Sequence, residues 1–161
     1  MKIMFICTGN ICRSAMAHAI LQDILEKRAE VKGQVQDLPL HASAHKIYSC
    51  GIFAEDGEPA TREAIEVMKE YNIDLSGHRA TNIKNSNIKD MDIILCATTA
   101  HKNNVINMYP ELKDKIYTIK EYAGYPANDL DINDPWGYNI ETYRNCAAQI
   151  EDCLKKIAEK I

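Results

Sequence analysis

The chain has 161 residues, 46% of them hydrophobic and 26% charged, a balance that suits a soluble globular protein with one proper core. Its net charge of −4 argues against a general nucleic-acid or membrane-surface binder, which needs a basic face, but leaves room for a small, locally positive anion pocket. The apolar start at residues 3–7 is too short for a signal core or a spanning helix, so one cytoplasmic domain over residues 1–161 is expected.

Strands and helices alternate along the chain, which points to an α/β fold with a mostly parallel sheet. Residues 2–7 form a short apolar run that reads as a buried first strand. Residues 8–12 are a loop. A helix starts near Arg13 or Ser14, carries Ala17, Ile20, Leu21 and Ile24 on one face, and fades near Glu30. Residues 31–44 read as a long polar surface loop, 46–50 as the second strand and 51–57 as a loop. The helix through Ile65 and Met68 takes Thr61 as N-cap and ends by Asn72.

Residues 91–97 are the most strand-like stretch. The helix after them takes Thr98 or Thr99 as cap and ends before Pro110. A fourth strand is expected over 115–119, and residues 121–136, with their Gly, Pro and acids, read as loop. In the last helix Ile140, Tyr143, Ala147, Ile150, Leu154, Ile157 and Ile161 recur at steps of three and four. That is a core-packing stripe of roughly six turns, where no site is expected.

Six cysteines in a chain of this kind read as reduced thiols. Cys50, Cys96, Cys146 and Cys153 sit in apolar patterns and read as small buried hydrophobes. Cys7 and Cys12 lie in the loop Cys7-Thr8-Gly9-Asn10-Ile11-Cys12-Arg13-Ser14, between the first strand and the first helix. Open α/β folds bind ligands at such a crossover.

Backbone N–H groups in such a loop converge on a concavity that suits an anion with several oxygens. Gly9 is expected to let the chain turn tightly, and Asn10 is the non-glycine type that best tolerates positive φ. Arg13 adds a planar fork for two oxygens. Cys7 then sits in an electropositive cup, where a thiol that normally titrates near ~8.5 is favoured as thiolate and attacks a bound phosphoryl group in line. Ser14 is placed to donate a hydrogen bond to that sulfur. The bland alternatives are a buried strand-end cysteine and an ordinary first-turn arginine. A closed zinc site through Cys7 and Cys12 lacks a second closely spaced Cys/His pair, so no metal and no cofactor are expected.

This segment resembles the Cys-x5-Arg-Ser/Thr signature of the low-molecular-weight protein tyrosine phosphatases, and similarity extends over nearly the whole chain. The resemblance implies a three-layer αβα fold around a central four-stranded parallel sheet in the flavodoxin-like order 2-1-3-4. It implies Cys7 as nucleophile and Arg13 as phosphate clamp, with Thr8, Gly9, Asn10, Ile11, Cys12 and Ser14 around the phosphate. Taken alone, Asp134-Pro135-Trp136-Gly137 is an ordinary turn. The family places its general acid in an Asp-Pro-aromatic segment before the last helix, so the resemblance assigns that role to Asp134 rather than to Asp129 or Asp131. Trp136 becomes an aromatic wall beside the substrate. Ser49 and His78 resemble the residues that, with Asn10, hold the loop in shape. Cys12 resembles a second loop cysteine able to form a reversible disulfide with Cys7.

Two features depart from the family pattern: residues 27–46 form a longer stretch than usual, and Thr98 stands where many members carry an acid. Ile11 is apolar, as is typical of the tyrosine phosphatases, whereas the related bacterial protein arginine phosphatases typically have Thr there. Residues 101–108, 117–123 and 131–137 look closer to that arginine branch. The expected activity is hydrolysis of protein phosphotyrosine, with phosphoarginine as the alternative. The expected partners are phosphorylated proteins or peptides and phosphate-like anions, bound by a monomer without nucleic acid or membrane. A thioredoxin-coupled arsenate reductase needs two further resolving cysteines, and only Cys96 lies in the right region. A non-catalytic anion-binding module would keep Arg13 without needing Cys7 or Asp134. The phosphatase reading requires Cys7 ionised while Asp134 is protonated, which gives a bell-shaped pH profile with an acidic to neutral optimum.

Overall fold

The structure, a computed structural model, describes residues 1–31 and 44–161. The long loop expected over 31–44 lies outside the described residues except at its ends, and Val31 closes the first helix.

Four strands form one parallel sheet: β1 (Lys2–Cys7), β2 (Lys46–Gly51), β3 (Ile93–Cys96) and β4 (Ile116–Thr118). Their order is β2-β1-β3-β4, as expected. β1 therefore has neighbours on both edges, pairing Cys7 with Gly51 on one side and Ile6 with Cys96 on the other. The chain leaves β1 towards β2 and later returns to the other side as β3. The crevice at the strands' carboxyl ends is the topological switch point of the sheet.

The alternation of side chains along β1 explains the layers. Ile3 and Phe5 point into one core with Ala17, Ile20 and Leu21 of α1 (Arg13–Val31), Val67 and Met68 of α2 (Arg62–Glu70), and Ile150 and Leu154 further along the chain. Met4 and Ile6 point into a second core with Ile83, Ile88 and Met91, and with Val105 of α3 (Thr99–Met108). Both faces of β1 are covered, so its sequence is a continuous apolar run rather than an alternating one. Phe5 is fully buried, and truncating it to Ala would cost roughly 3–5 kcal/mol.

The helix ends follow their capping chemistry. Thr61 caps α2 by accepting from the Ala64 N–H, and Thr98 rather than Thr99 caps α3 by accepting from the His101 N–H. The stretch expected to be loop from residue 121 begins with a short helix, α4 (Ile119–Tyr122), so β4 stops at Thr118. A capping box makes that turn: Thr118 accepts from the Glu121 N–H while the Glu121 carboxylate accepts from the Thr118 N–H. α5 (Ile140–Ala158) follows the apolar stripe, with Ile161 beyond its end. No helix among the described residues is long and apolar enough to cross a membrane.

Candidate active site

β1 ends at Cys7 and α1 begins at Arg13, so the five residues between them wrap around the amino end of a helix. Asn10 takes the left-handed conformation with φ of 55°. Gly9 does not share that burden, contrary to expectation, and a Cβ there would make only ordinary contact with Ile11, at 3.5 Å. The glycine that the loop requires is Gly51, at the end of β2. A Cβ on Gly51 would lie 2.6 Å from the Thr8 carbonyl oxygen and 2.8 Å from the Asn10 nitrogen.

Asn10 is fully buried, and its carbonyl and both side-chain polar atoms are used. Its carbonyl accepts from His78 Nε2 at 2.6 Å, and its side-chain oxygen accepts from the Thr81 N–H at 3.0 Å. Its amide nitrogen donates to Ser14 Oγ at 2.8 Å. Ser14 Oγ lies 2.9 Å from Cys7 Sγ. Because Ser14 accepts from Asn10, its own hydrogen is free to point at the sulfur. The Ile52 and Phe53 N–H groups donate to the Cys7 and Thr8 carbonyls, which ties the loop to the exit of β2.

Ser49 does not join Asn10 and His78 directly. Its hydroxyl lies 3.2 Å from His18 Nδ1. Burial, and secondarily the neighbouring His78, pushes His18 down to about 4, so this imidazole is neutral near pH 7. His78 is also shifted down by burial, and its Nε2 carries the hydrogen that meets the Asn10 carbonyl.

Arg13 is 4% exposed and points along the loop rather than into water. Its Nη1 donates to the Ile132 carbonyl at 2.8 Å. Its Nη2 faces Asp134 Oδ2 at 3.5 Å, and its buried Nε has no hydrogen-bond partner among the described residues. The Nε–Nη2 edge is the one that grips two oxygens of a tetrahedral anion.

The segment carrying Asp134 is tied down at several points. Ile132 N–H donates to the Ala97 carbonyl at 2.9 Å. Asp131 accepts from the Thr99 N–H and hydroxyl, and Asp129 pairs with Lys120 at 2.7 Å. The two rival acids are thus anchors of this loop. Asp134 itself is half exposed, with Oδ1 accepting from the Trp136 N–H at 3.1 Å in a turn around Pro135.

These groups meet in a cavity of about 300 Å³. Cys7, Cys12 and Arg13 are its buried members, Thr8, Gly9 and Ile11 belong to the loop, and Glu58, Asp134 and Trp136 are exposed at its mouth. Trp136 is 64% exposed, an apolar wall open to solvent. Cys12 is a buried free thiol held by Tyr143 Oη at 3.3 Å and Thr61 Oγ1 at 3.7 Å. Burial pushes it up to about 11. Tyr143 comes from the stripe of α5 where no site was expected; nothing in its spacing marked the contact, which joins residues 131 apart. Glu58 and Gly51 also escaped the sequence reading, although Gly51 closes a strand beside the Cys7 strand.

The model of the low molecular weight phosphotyrosine protein phosphatase family matches residues 2–161. The chain belongs to this family. It is a protein phosphatase, a hydrolase of phosphoric monoesters. A protein-arginine-phosphatase of Geobacillus stearothermophilus is 35% identical over 99% of this chain and 95% of its own. The low molecular weight protein-tyrosine-phosphatase PtpB of Staphylococcus haemolyticus is 35% identical over 98% and 97%. The crystal structure of the low molecular weight protein tyrosine phosphatase from T. tengcongensis superposes with a TM-score of 0.83 at 36% identity, covering 100% of this chain and 99% of that one. The phosphatase fold and sheet order agree with that neighbour.

Proposed function

We propose that this phosphatase hydrolyses protein phosphotyrosine through a phosphate ester of Cys7. The observation that carries the reading is the convergence of Cys7 Sγ, the free edge of Arg13 and the Asp134 carboxyl on one cavity. The phosphoryl group sits on the loop N–H groups with two oxygens in the Arg13 fork. The Cys7 thiolate attacks phosphorus as the bond to the tyrosine oxygen breaks, and Asp134 gives its proton to that leaving oxygen. Asp134, now a carboxylate, takes a proton from water. The water oxygen attacks phosphorus, the S–P bond breaks, and inorganic phosphate leaves. Cys7 departs as a thiolate held by Ser14, and Asn10 and His78 keep that hydrogen bond in place. No step uses a metal, so a chelator should leave turnover intact.

Ile11 and Trp136 favour a flat aromatic leaving group, since both offer apolar surface at the cavity. One observation favours the second reading, phosphoarginine: Glu58 places a carboxylate at the mouth, where a guanidinium would be attracted. Release of phosphate from a phosphotyrosine peptide and a phosphoarginine peptide, measured side by side with chelator present, separates the two. Preference for phosphotyrosine is expected, and a large preference for phosphoarginine would keep the mechanism and reverse the specificity. All the proposed catalytic groups come from one chain, which suits a monomer acting on phosphorylated proteins or peptides. The six free, buried cysteines suit a reducing cytoplasm.

A further inference from the structure

His101 stands in the first turn of α3, the helix that follows β3, and is only 8% exposed. Both ring nitrogens meet a hydroxyl. Nε2 lies 2.8 Å from Thr8 Oγ1, and Nδ1 lies 2.8 Å from Thr98 Oγ1. Thr8 directly follows Cys7 and lines the cavity. The contact therefore spans residues 93 apart and ends on the loop that holds the phosphoryl group.

The direction of these hydrogen bonds follows from proton counting. Burial, with the Arg13 cation adding to it and Asp134 and Asp131 opposing it, pushes His101 down to about 4. The ring is neutral near pH 7, so one nitrogen donates and the other accepts. Thr98 Oγ1 already accepts from the His101 backbone N–H at 3.1 Å. Its own hydrogen has no other acceptor than Nδ1 among the described residues. Nδ1 is then the acceptor and Nε2 the donor to Thr8. That leaves the Thr8 hydrogen unclaimed, on an oxygen whose orientation is fixed from behind.

We infer that His101 is a positioning residue of the phosphatase: it holds the Thr8 hydroxyl so that its O–H donates to an oxygen of the phosphoryl group in the cavity. Thr98 sets the imidazole tautomer. The relay Thr98, His101, Thr8 adds one oriented donor to the N–H groups and the Arg13 fork, and its effect grows as charge collects on the phosphoryl oxygens. No proton is transferred along it.

This inference rests on the phosphatase reading, and inorganic phosphate as the probe separates the two. Competitive inhibition by inorganic phosphate and kcat/KM for p-nitrophenyl phosphate are measured for the parent, Thr8→Val, His101→Phe, His101→Gln and the double variant Thr8→Val/His101→Phe. Thr8→Val and His101→Phe should each weaken phosphate binding and lower kcat/KM about 10-fold, as expected for losing a hydrogen bond to a charged group. The double variant should be no worse than either single one, because both remove the same donor. His101→Gln, whose amide can still reach Thr8, should recover most of the loss. Thr8 is exposed at the cavity, so Thr8→Val tests the inference even where His101→Phe fails to fold. Parent-like phosphate affinity in Thr8→Val, additive losses in the double variant, or a His101→Gln as impaired as His101→Phe would each overturn it. A parent that neither binds phosphate nor hydrolyses the ester would overturn the phosphatase reading itself.

Discussion

Arg13 Nη2 and Asp134 Oδ2 face each other at 3.5 Å across the cavity that holds Cys7. The arginine is buried and held by the Ile132 carbonyl, while the aspartate is half exposed in the mouth. In the proposed mechanism an arriving phosphoryl group enters between them, so that Arg13 exchanges this ion pair for the oxygens of the substrate and Asp134 is left beside the leaving oxygen.

Arg13→Lys keeps the charge but removes the planar fork and the bond from Nη1 to Ile132. A point charge cannot hold two oxygens and the Ile132 carbonyl together. kcat/KM for an aryl phosphate should fall roughly 100- to 1000-fold, with a folded protein by circular dichroism. Activity within a few-fold of the parent would mean that the fork is not the clamp.

Asp134→Asn should act through the leaving group. For phenyl phosphate, whose leaving oxygen needs a proton, kcat should drop about 100- to 10,000-fold. For p-nitrophenyl phosphate, whose leaving group departs without help, the loss should be much smaller. Equal losses for the two esters would assign the proton donor elsewhere.

Thiol labelling should single out one cysteine. Burial pushes Cys50 and Cys146 up to about 12 and Cys12 up to about 11, and raises Cys96 and Cys153 as well. These five stay as unreactive thiols near neutral pH. Iodoacetate at pH 6 should therefore modify Cys7, and added phosphate should protect it. Peptide mapping that finds Cys12 labelled first would contradict this.

Gly51→Ala should damage the loop through its backbone, with every side chain at the cavity left in place. Its Cβ would press on backbone atoms of Thr8 and Asn10, which cannot swing away. A stability loss of about 1–3 kcal/mol and weaker phosphate inhibition are expected. Gly77→Ala is the control, since a Cβ there meets nothing within 4 Å, and it should unfold like the parent.

Two histidines, His18 half-buried and His101 buried, set part of the acid sensitivity. His18 and His101 have folded-state values near 4, below the ordinary 6.5. As pH falls from about 6.5 to about 4, the unfolded chain takes up protons that the folded chain refuses, so stability declines across this window. Each such proton contributes roughly 1.4 kcal/mol per pH unit at most. The thermal midpoint should fall between pH 6.5 and 4, and the fall should be smaller in His18→Leu wherever that variant folds.

The strands and both long helices were legible because each is a local pattern: a continuous apolar run for a strand buried on two faces, a stripe at steps of three and four for a helix. Cys7, Asn10 and Arg13 were legible for the same reason, since strand, turn and helix start are consecutive. The start of α4 was missed because Thr118 and Glu121 form a capping box inside a segment dominated by Gly, Pro and acids. Gly9 was credited with a turn that Asn10 makes alone. What local pattern could not reveal were contacts between distant segments. His18 takes the Ser49 hydroxyl, Gly51 gives the loop its clearance, Tyr143 reaches Cys12, and His101 reaches Thr8. The contacts of Gly51 and His101 depend on the sheet order, which brings the ends of β1, β2 and β3 together, and that of Tyr143 on the packing of α5 against α1.

The central claim is that the phosphoryl group passes through Cys7. Rapid quench of the Asp134→Ala variant with p-nitrophenyl phosphate, whose leaving group needs no proton, followed by mass spectrometry, tests it most directly. One phosphoryl group should be found on the peptide containing Cys7, and none should form in Cys7→Ala, which should still bind phosphate. Turnover by Cys7→Ala at the parent rate, or a phosphoryl group on another residue of the parent, would contradict the account.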